Sequence, residues 1–431
     1  MTKRLVLCLD GTQNSPEQDV GIVNGYKLYK PTNVLKTFRA ISPVGLDPVG
    51  PSRVSQIAYY SEGVGSMIGE STGYGKFAVL VDRVIGGAEG SGYEARVKSA
   101  YRFLVANYEP NDKIFVFGFS RGAAEAQTLV RLIDWVGGAA RDVGGILRKA
   151  DEYWIPQLYD GFRQSQMKPY SHAAPGKVDK VYDDIRGQGG HFENPQEARI
   201  EFLGVWDTVV SVGSRLAPDG KVATVAEKYG YLVDRRPPSC VKVIRQALAI
   251  DERRWDFRPQ IWRPDLQSPT DGVRPLVQLW FPGVHSNVGG GYQHDGLADE
   301  ALKWIIGEAT TITHLAVDEA YLEYFFKDKG PSYKPSRPDS NKPWARFADL
   351  VRGKRGRGVR KLATWDQNGS WEQSCLGFHD QLWKLLLGDG TYRPSNLLEY
   401  LASNQRRIDE LQEPRRGEVQ KIVTDFAGVR R

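Results

Sequence analysis

The chain opens with a continuous apolar run, Arg4-Leu5-Val6-Leu7-Cys8-Leu9, closed by the turn-rich Asp10-Gly11-Thr12-Gln13-Asn14. An unbroken apolar run of this length suits a strand covered on both faces, as in a parallel sheet. Runs at 55–60, 114–119, 199–205 and 276–281 predict further strands of the same kind. Helical spacing takes over between them. In 33–41, Val34, Leu35 and Phe38 share one face and Thr32 stands where an N-cap belongs. In 93–108, Val97, Ala100, Tyr101, Leu104 and Tyr108 recur at three and four residues. Residues 123–133 and 298–309 also read as helices, the latter with Leu302, Ile305 and Ile306 inward, and 241–249 reads as a helix. Strands alternating with helices predict an α/β fold with a mostly parallel central sheet.

The periodicity also divides the chain. Residues 1–317 carry the strand–helix alternation and are expected to form one catalytic unit. Within them, about 142–197 is a polar stretch rich in Tyr, Pro and Gly, with helical pieces such as 148–158, expected as an inserted lid or cap. From 318 the pattern loosens, and Trp344, Trp365, Trp371 and Trp383 sit among glycines, prolines and charges. This third is expected to pack on the core as an irregular appendage, with a helix starting near 397–401 and a charged tail from 413.

Composition narrows the function classes. No apolar run approaches the roughly 18 residues of a membrane span. The start is basic then apolar, but Asp10 interrupts it too early for a signal peptide, so cytoplasmic synthesis without classical export is expected. Three scattered cysteines offer neither a disulfide framework nor metal-ligand spacing. The glycines of 86–92 are not followed by the lysine of a phosphate loop, and no cofactor or metal is expected. The net charge of +6 favours anionic partners such as phospholipid headgroups, through transient contact with a membrane surface; nucleic acid is not expected. The densest cationic run, 352–361, reads as a solvated loop.

The chemistry centres on Gly118-Phe119-Ser120-Arg121-Gly122, placed between an apolar strand and a helix. This strand–turn–helix setting of Gly-X-Ser-X-Gly is the nucleophile elbow of α/β-hydrolases, and Gly118 and Gly122 flank a bend too tight for side chains. A serine hydroxyl needs a base, and the base needs an orienting carboxylate. In this fold they follow in the order Ser, Asp or Glu, His. Ser120, Asp207 and His285 meet that order, each after a predicted strand. Of six histidines, His172 and His191 come too early, His314 follows no strand, His379 lies in the appendage, and His294 is the reserve. Asp251 is the rival carboxylate, set in a charged cluster with Glu252, Arg253 and Arg254. Oxyanion donors are expected from the backbone of Arg121 and from the loop at Gly11 and Thr12, with Asp10 fixing that loop by accepting N–H bonds. The product class is a hydrolysed carboxylic ester. Two alternatives stay open: a hydrolase of small polar esters or amides, and a binding protein that keeps the fold without catalysis.

Five stretches taken together resemble a known family: residues 7–14, 60–65, 118–123, 204–209, and 280–286 with Gly289-Gly290-Gly291-Tyr292. In this order they look like the motifs of the type VI secretion phospholipase effectors and their uncharacterised bacterial and fungal relatives. The resemblance covers about 3–309. It implies an α/β-hydrolase fold, a triad on Ser120, Asp207 and His285, and cleavage of fatty acyl esters of membrane phospholipids. For an effector it further implies a secretion-apparatus or immunity-protein partner and release by a non-classical, type VI route. Two positions depart from the family pattern: Gln13 stands where Trp is usual, and Asn287, a support of the histidine loop, where Asp is usual.

Overall fold

The fold is that of a computed structural model, which describes residues 2–11, 19–23, 26–47, 52–63, 89–137, 145–166, 184–185, 187, 198–209, 215–216, 222–223, 237–254, 257–262, 273, 275–292, 295–326, 359–360, 362 and 376–429. Eight strands make one sheet: β1 (Arg4–Leu9), β2 (Val44–Leu46), β3 (Arg53–Ser61), β4 (Lys113–Phe119), β5 (Arg199–Trp206), β6 (Val241–Ala249), β7 (Leu276–Phe281) and β8 (Leu376–Phe378). Their order is β8-β7-β6-β5-β4-β1-β3-β2, and every pairing is parallel except that of the edge strand β2 with β3. Two short hairpins, Asp19–Val23 with Tyr26–Tyr29 and Arg215–Leu216 with Val222–Ala223, lie outside this sheet. The helices described are α1 (Asn33–Ala40), α2 (Glu89–Asn107), α3 (Ser120–Gly137), α4 (Ile155–Gln166), α5 (His285–Gly289), α6 (Gly296–Thr313), α7 (Glu319–Phe326), α8 (Asp380–Gly388), α9 (Ser395–Ser403), α10 (Gln405–Asp409) and α11 (Arg415–Val429). None is long and apolar enough to cross a membrane.

The unbroken apolar runs have the predicted meaning. All six residues of β1 are buried: Leu5, Leu7 and Leu9 pack with α2, α3 and α4 on one face, and Val6 and Cys8 pack with α1 and α6 on the other. β4 divides in the same way, with Ile114 and Val116 on the first face and Phe115, Phe117 and Phe119 on the second. The result is an α/β fold of three layers. Thr32 caps α1 as expected, its Oγ1 accepting from Leu35 N at 3.1 Å.

The segment 241–249 is a strand, not a helix. Its polar Arg245 and Gln246 break an apolar run and suggest a helix face. In the sheet they are buried and partnered instead: Arg245 Nε donates to Glu308 at 2.5 Å, and Gln246 Nε2 donates to Gln260 O at 2.6 Å. Tertiary pairing overrides local pattern here.

The inserted region also begins differently. Residues 145–166 join the core, with Trp154, Ile155, Leu158, Tyr159 and Phe162 buried against α2 and α3. Most of the expected lid lies outside the described residues. Nor are the described residues of the C-terminal third irregular. They add β8 to the sheet beside β7, then α8 to α11. Leu382, Leu386, Leu397, Leu401 and Val419 form a core with Leu248 and Trp280 of the central strands.

Candidate active site

Chain direction places the site. From β1 the chain goes outward to β3, then returns to the other side of β1 as β4. At such a reversal, loops leave the carboxyl ends of adjacent strands in opposite directions and open a crevice. Asp10 and Gly11 lie at the end of β1, Ser120 at the end of β4, and Asp207 just beyond the neighbouring β5.

Ser120 begins α3 with φ of 57°. A non-glycine residue in the left-handed region costs roughly 1–3 kcal/mol, which the surrounding fold must offset. The flanking glycines show how. A side-chain carbon on Gly118 would stand 2.7 Å from the Ala123 backbone. One on Gly122 would run into the carbonyl oxygens of Leu9 and Asp10, so the first turn of α3 presses on the β1 loop. Val209 N donates to Ser120 O at 3.3 Å and ties the elbow to the Asp207 loop.

Asp207 has the second left-handed backbone of the site, φ 40°, and a carboxylate buried completely. Its Oδ2 lies 2.7 Å from His285 Nδ1. Oδ1 accepts from Ala249 N at 2.9 Å. The Arg360 guanidinium lies along the carboxylate, with Nη1 2.6 Å from Oδ1 and Nη2 2.8 Å from Oδ2. Burial would raise the Asp207 pKa, but Arg360 and the His285 hydrogen bond outweigh it and hold the carboxyl below its ordinary range.

His285 opens α5 directly after β7. Its ring packs against Phe119, the residue before Ser120, at 4.6 Å between centroids, and edge-on against Phe257 at 4.9 Å. Burial lowers its pKa, opposed by the Asp207 contact and charge and assisted by Arg254. The imidazole is therefore held neutral to lower pH than an exposed histidine, as a base requires.

The loop below His285 is held by carboxylates that the sequence did not single out for this task. Glu252 Oε2 accepts from His285 N at 3.2 Å, and Glu252 also takes Arg254 Nε and Nη2, each at 2.9 Å. Burial would raise the Glu252 pKa; Arg254 and Arg360 drive it well below the usual carboxylate range. Asp251, the rival to Asp207, accepts from Gly283 N at 2.7 Å and Tyr392 OH at 3.0 Å, and so braces the turn before the histidine. Asn287 Oδ1 accepts from Val284 N at 3.1 Å; an amide oxygen suffices for that bond.

On the serine side, Asp10 Oδ1 accepts from Gly11 N at 2.7 Å, while Oδ2 accepts from Thr32 Oγ1 at 2.5 Å and Tyr60 OH at 2.8 Å. Asp10 thus fixes the loop, but it takes the Gly11 N–H that was expected to face an oxyanion. Thr12 and Gln13 lie outside the described residues, as do His172, His191 and His294. Arg121 stands in the first turn of α3, where backbone N–H groups have no intrahelical acceptor. Arg96 donates to Asp10 O at 3.0 Å and lies 2.8 Å from Glu125, whose buried carboxyl is pushed up to about 7 by desolvation, against the pull of Arg96 and Arg121.

Arg360 and Glu252 are the residues sequence reading missed. Glu252 had a signal: it sits just past a strand end once 241–249 is read as β6. Arg360 had none beyond membership of the 352–361 cationic run. That run is not solvated throughout, since Arg360 is 4% exposed.

The family described as type VI secretion system (T6SS), phospholipase effector Tle1-like, catalytic domain matches residues 3–308, and the chain belongs to it. An uncharacterised protein of Saccharomyces cerevisiae is 26% identical over 277 residues, 61% of this chain and 33% of that protein. Among solved structures, a Tle1 effector bound to the VgrG spike of the type 6 secretion system is similar with TM-score 0.31 and 20% identity, over 68% of this chain and 52% of that one. An uncharacterised protein from Pseudomonas aeruginosa is similar with TM-score 0.40 and 17% identity, over 99% of this chain and 62% of that one. The chain thus spans about a third of the yeast relative and between half and two thirds of the two solved chains.

Proposed function

We propose that this member of the family is a serine hydrolase of carboxylic esters, foremost the fatty acyl esters of phospholipids, working through Ser120, His285 and Asp207. The observation that carries the reading is the buried His285–Asp207 pair at the same sheet edge as a serine held in the left-handed region. With Nδ1 donating to Asp207, Nε2 is the basic nitrogen. It takes the Ser120 proton as Oγ attacks the ester carbonyl. The tetrahedral oxyanion draws on the Arg121 N–H at the start of α3. Collapse expels the alcohol, which receives the proton from His285 and leaves an acyl-serine. Water, deprotonated by His285, then releases the fatty acid and restores the serine. With Gly11 N–H engaged by Asp10, the second oxyanion donor in this reading is Thr12.

In this reading the catalytic unit is 1–317 with 318–431 packed against it. A phospholipid substrate entails transient contact with a membrane surface. Delivery as an effector, and with it a secretion-apparatus partner, rests on the family description alone.

The test is turnover of a short p-nitrophenyl ester, with fatty acid release from phospholipid vesicles measured alongside. Ser120→Ala is expected to lower both by about 10⁴-fold or more. Equal hydrolysis by folded wild type and variant overturns the serine mechanism. Activity on the soluble ester without release from vesicles moves the substrate to a small polar ester.

A further inference from the structure

Arg360 lies beyond the region matched by the family, which ends at 308, yet it touches the candidate catalytic carboxylate. We propose that Arg360 is a positioning residue, supplied by the C-terminal third, which fixes the Asp207 carboxylate and through it the His285 imidazole. The proposal rests on the triad reading above.

The hydrogen-bond geometry carries it. The four terminal N–H protons of the guanidinium meet four acceptors. Nη1 serves Asp207 Oδ1 and Ala249 O, the latter at 2.5 Å, and Nη2 serves Asp207 Oδ2 and Phe257 O. Counted from the carboxylate, Oδ1 holds Ala249 N and Arg360, and Oδ2 holds His285 and Arg360. That fills the roughly four lone-pair directions a carboxylate offers. Asp207 then cannot turn about its own bond without breaking contacts, and the plane in which it meets His285 is set. A planar fork is needed, because a lysine ammonium cannot span both oxygens and both carbonyls. Arg360 is itself held: Asn396 Nδ2, on α9, donates to Arg360 O at 3.1 Å and to Ile250 O at 3.0 Å. The C-terminal helices are thereby linked to the loop after β6 and, through Arg360, to the site.

Charge gives the proposal a consequence that packing alone would not. Among the described residues, the other charged and titratable groups around His285 are Glu252, Arg254 and Tyr292, with Asp251 beneath Gly283 and Asp10 across the elbow. On α6, which packs against α5, and at the residue before it, Asp295 and Asp299 are paired with Lys36, Asp295 also with Lys30, and Glu308 with Arg245. Arg360 opposes the Asp207 charge that stabilises an imidazolium. Removing the cation makes the Asp207–His285 pair bind its proton at higher pH, whichever member holds it. A base that stays neutral is required, so the acid limb of the rate must move upward in pH.

The experiment is the rate of fluorophosphonate labelling across about pH 5 to 8, for wild type, Ser120→Ala, Arg360→Met and Arg360→Lys, with thermal unfolding measured on each. Arg360→Met is expected to label on the order of 10- to 100-fold more slowly near neutrality, with its acid limb displaced upward. Arg360→Lys keeps the charge, so it should be slowed while its limb stays at the wild-type position. If Arg360→Met does not fold, Arg360→Lys decides: slowing with an unmoved limb supports the proposal, and wild-type rates at every pH overturn it. Folded Arg360→Met with wild-type rate and limb also overturns it. No labelling of wild type, or equal labelling of Ser120→Ala, overturns the triad reading and takes this proposal with it.

Discussion

Lys36 and Arg360 are both buried cations that sit on carboxylates, and they differ in what the carboxylates must still do. Lys36 of α1 places Nζ 2.7 Å from Asp295 and 2.6 Å from Asp299 at the start of α6, with the Phe325 ring 4.5 Å away. Arg360 lies on Asp207 with similar distances and similar burial. At Lys36 one point charge is shared by two carboxylates, with Lys30 a further 3.7 Å from Asp295, and the cluster ties helices together. At Arg360 one carboxylate is shared by two side chains, and one of them, His285, must gain and lose a proton. Burial is costly in both places, since each charge gives up its hydration. The first cluster returns only helix docking. The second also sets geometry and charge at a base.

The comparison breaks most readily at Lys36. Lys36→Met leaves two buried carboxylates without their shared cation, and breaking such an arrangement costs about 3–5 kcal/mol. Denaturant unfolding should show that loss, the largest on stability expected here. Fluorophosphonate labelling of the fraction still folded should keep the wild-type acid limb. A displaced limb would mean that the two clusters are not separate in kind. The wild-type pH dependence has a definite sign. Desolvation lowers the Lys36 pKa, but Asp299 and Asp295 outweigh it and the value is raised. Its contribution is therefore complete below the ordinary lysine value near 10.5 and is lost as pH rises through the higher folded value. For Asp207, whose folded value is depressed, the contribution is complete above the ordinary carboxylate value and fails as pH falls through the folded one.

Glu252 sharpens the contrast from the opposite direction. It is a carboxylate beside His285, and its charge favours the imidazolium, against the charge of Arg254. Glu252→Gln leaves Arg254 facing the histidine without its counter-charge. The acid limb should move to lower pH, opposite in sign to Arg360→Met, with labelling near neutrality slowed by about 10-fold as the His285 loop loosens. Two substitutions shifting the limb in the same direction would show that the shifts report general loosening rather than charge.

The unequal legibility of these regions has a physical cause. β1, the elbow and the strand ends at Asp207 and His285 were readable because each depends on local order: an apolar run, then a turn, then a helix. The spacing of three residue types in the right order then brought Ser120, Asp207 and His285 together on paper. The segment 241–249 reads as a helix because its buried polar residues, Arg245 and Gln246, find partners only through tertiary contacts, at Glu308 and Gln260. Gly11 was assigned to the oxyanion because its neighbour's side chain, which takes its N–H, has no periodic signature. Arg360 lies 153 residues from Asp207 along the chain. No local pattern encodes a contact of that span, and Gly-rich cationic sequence around it resembles a solvated loop.

The smallest effect tests how far the C-terminal third reaches into the site. Tyr392 donates its hydroxyl to Asp251 Oδ2, which also holds the Gly283 N–H two residues before His285. Tyr392→Phe removes one hydrogen bond and leaves the ring in its buried place. The net loss should be about 1 kcal/mol of stability. Asp251 keeps Gly283, so the turn is retained and no charge near His285 changes. Labelling should stay within about twofold of wild type with an unmoved limb. A larger kinetic loss would make Asp251 a second route by which the C-terminal third governs the histidine. An unchanged rate leaves Arg360, among the described residues, as the contact through which that third acts, because it combines a fixed geometry with a charge the base can feel.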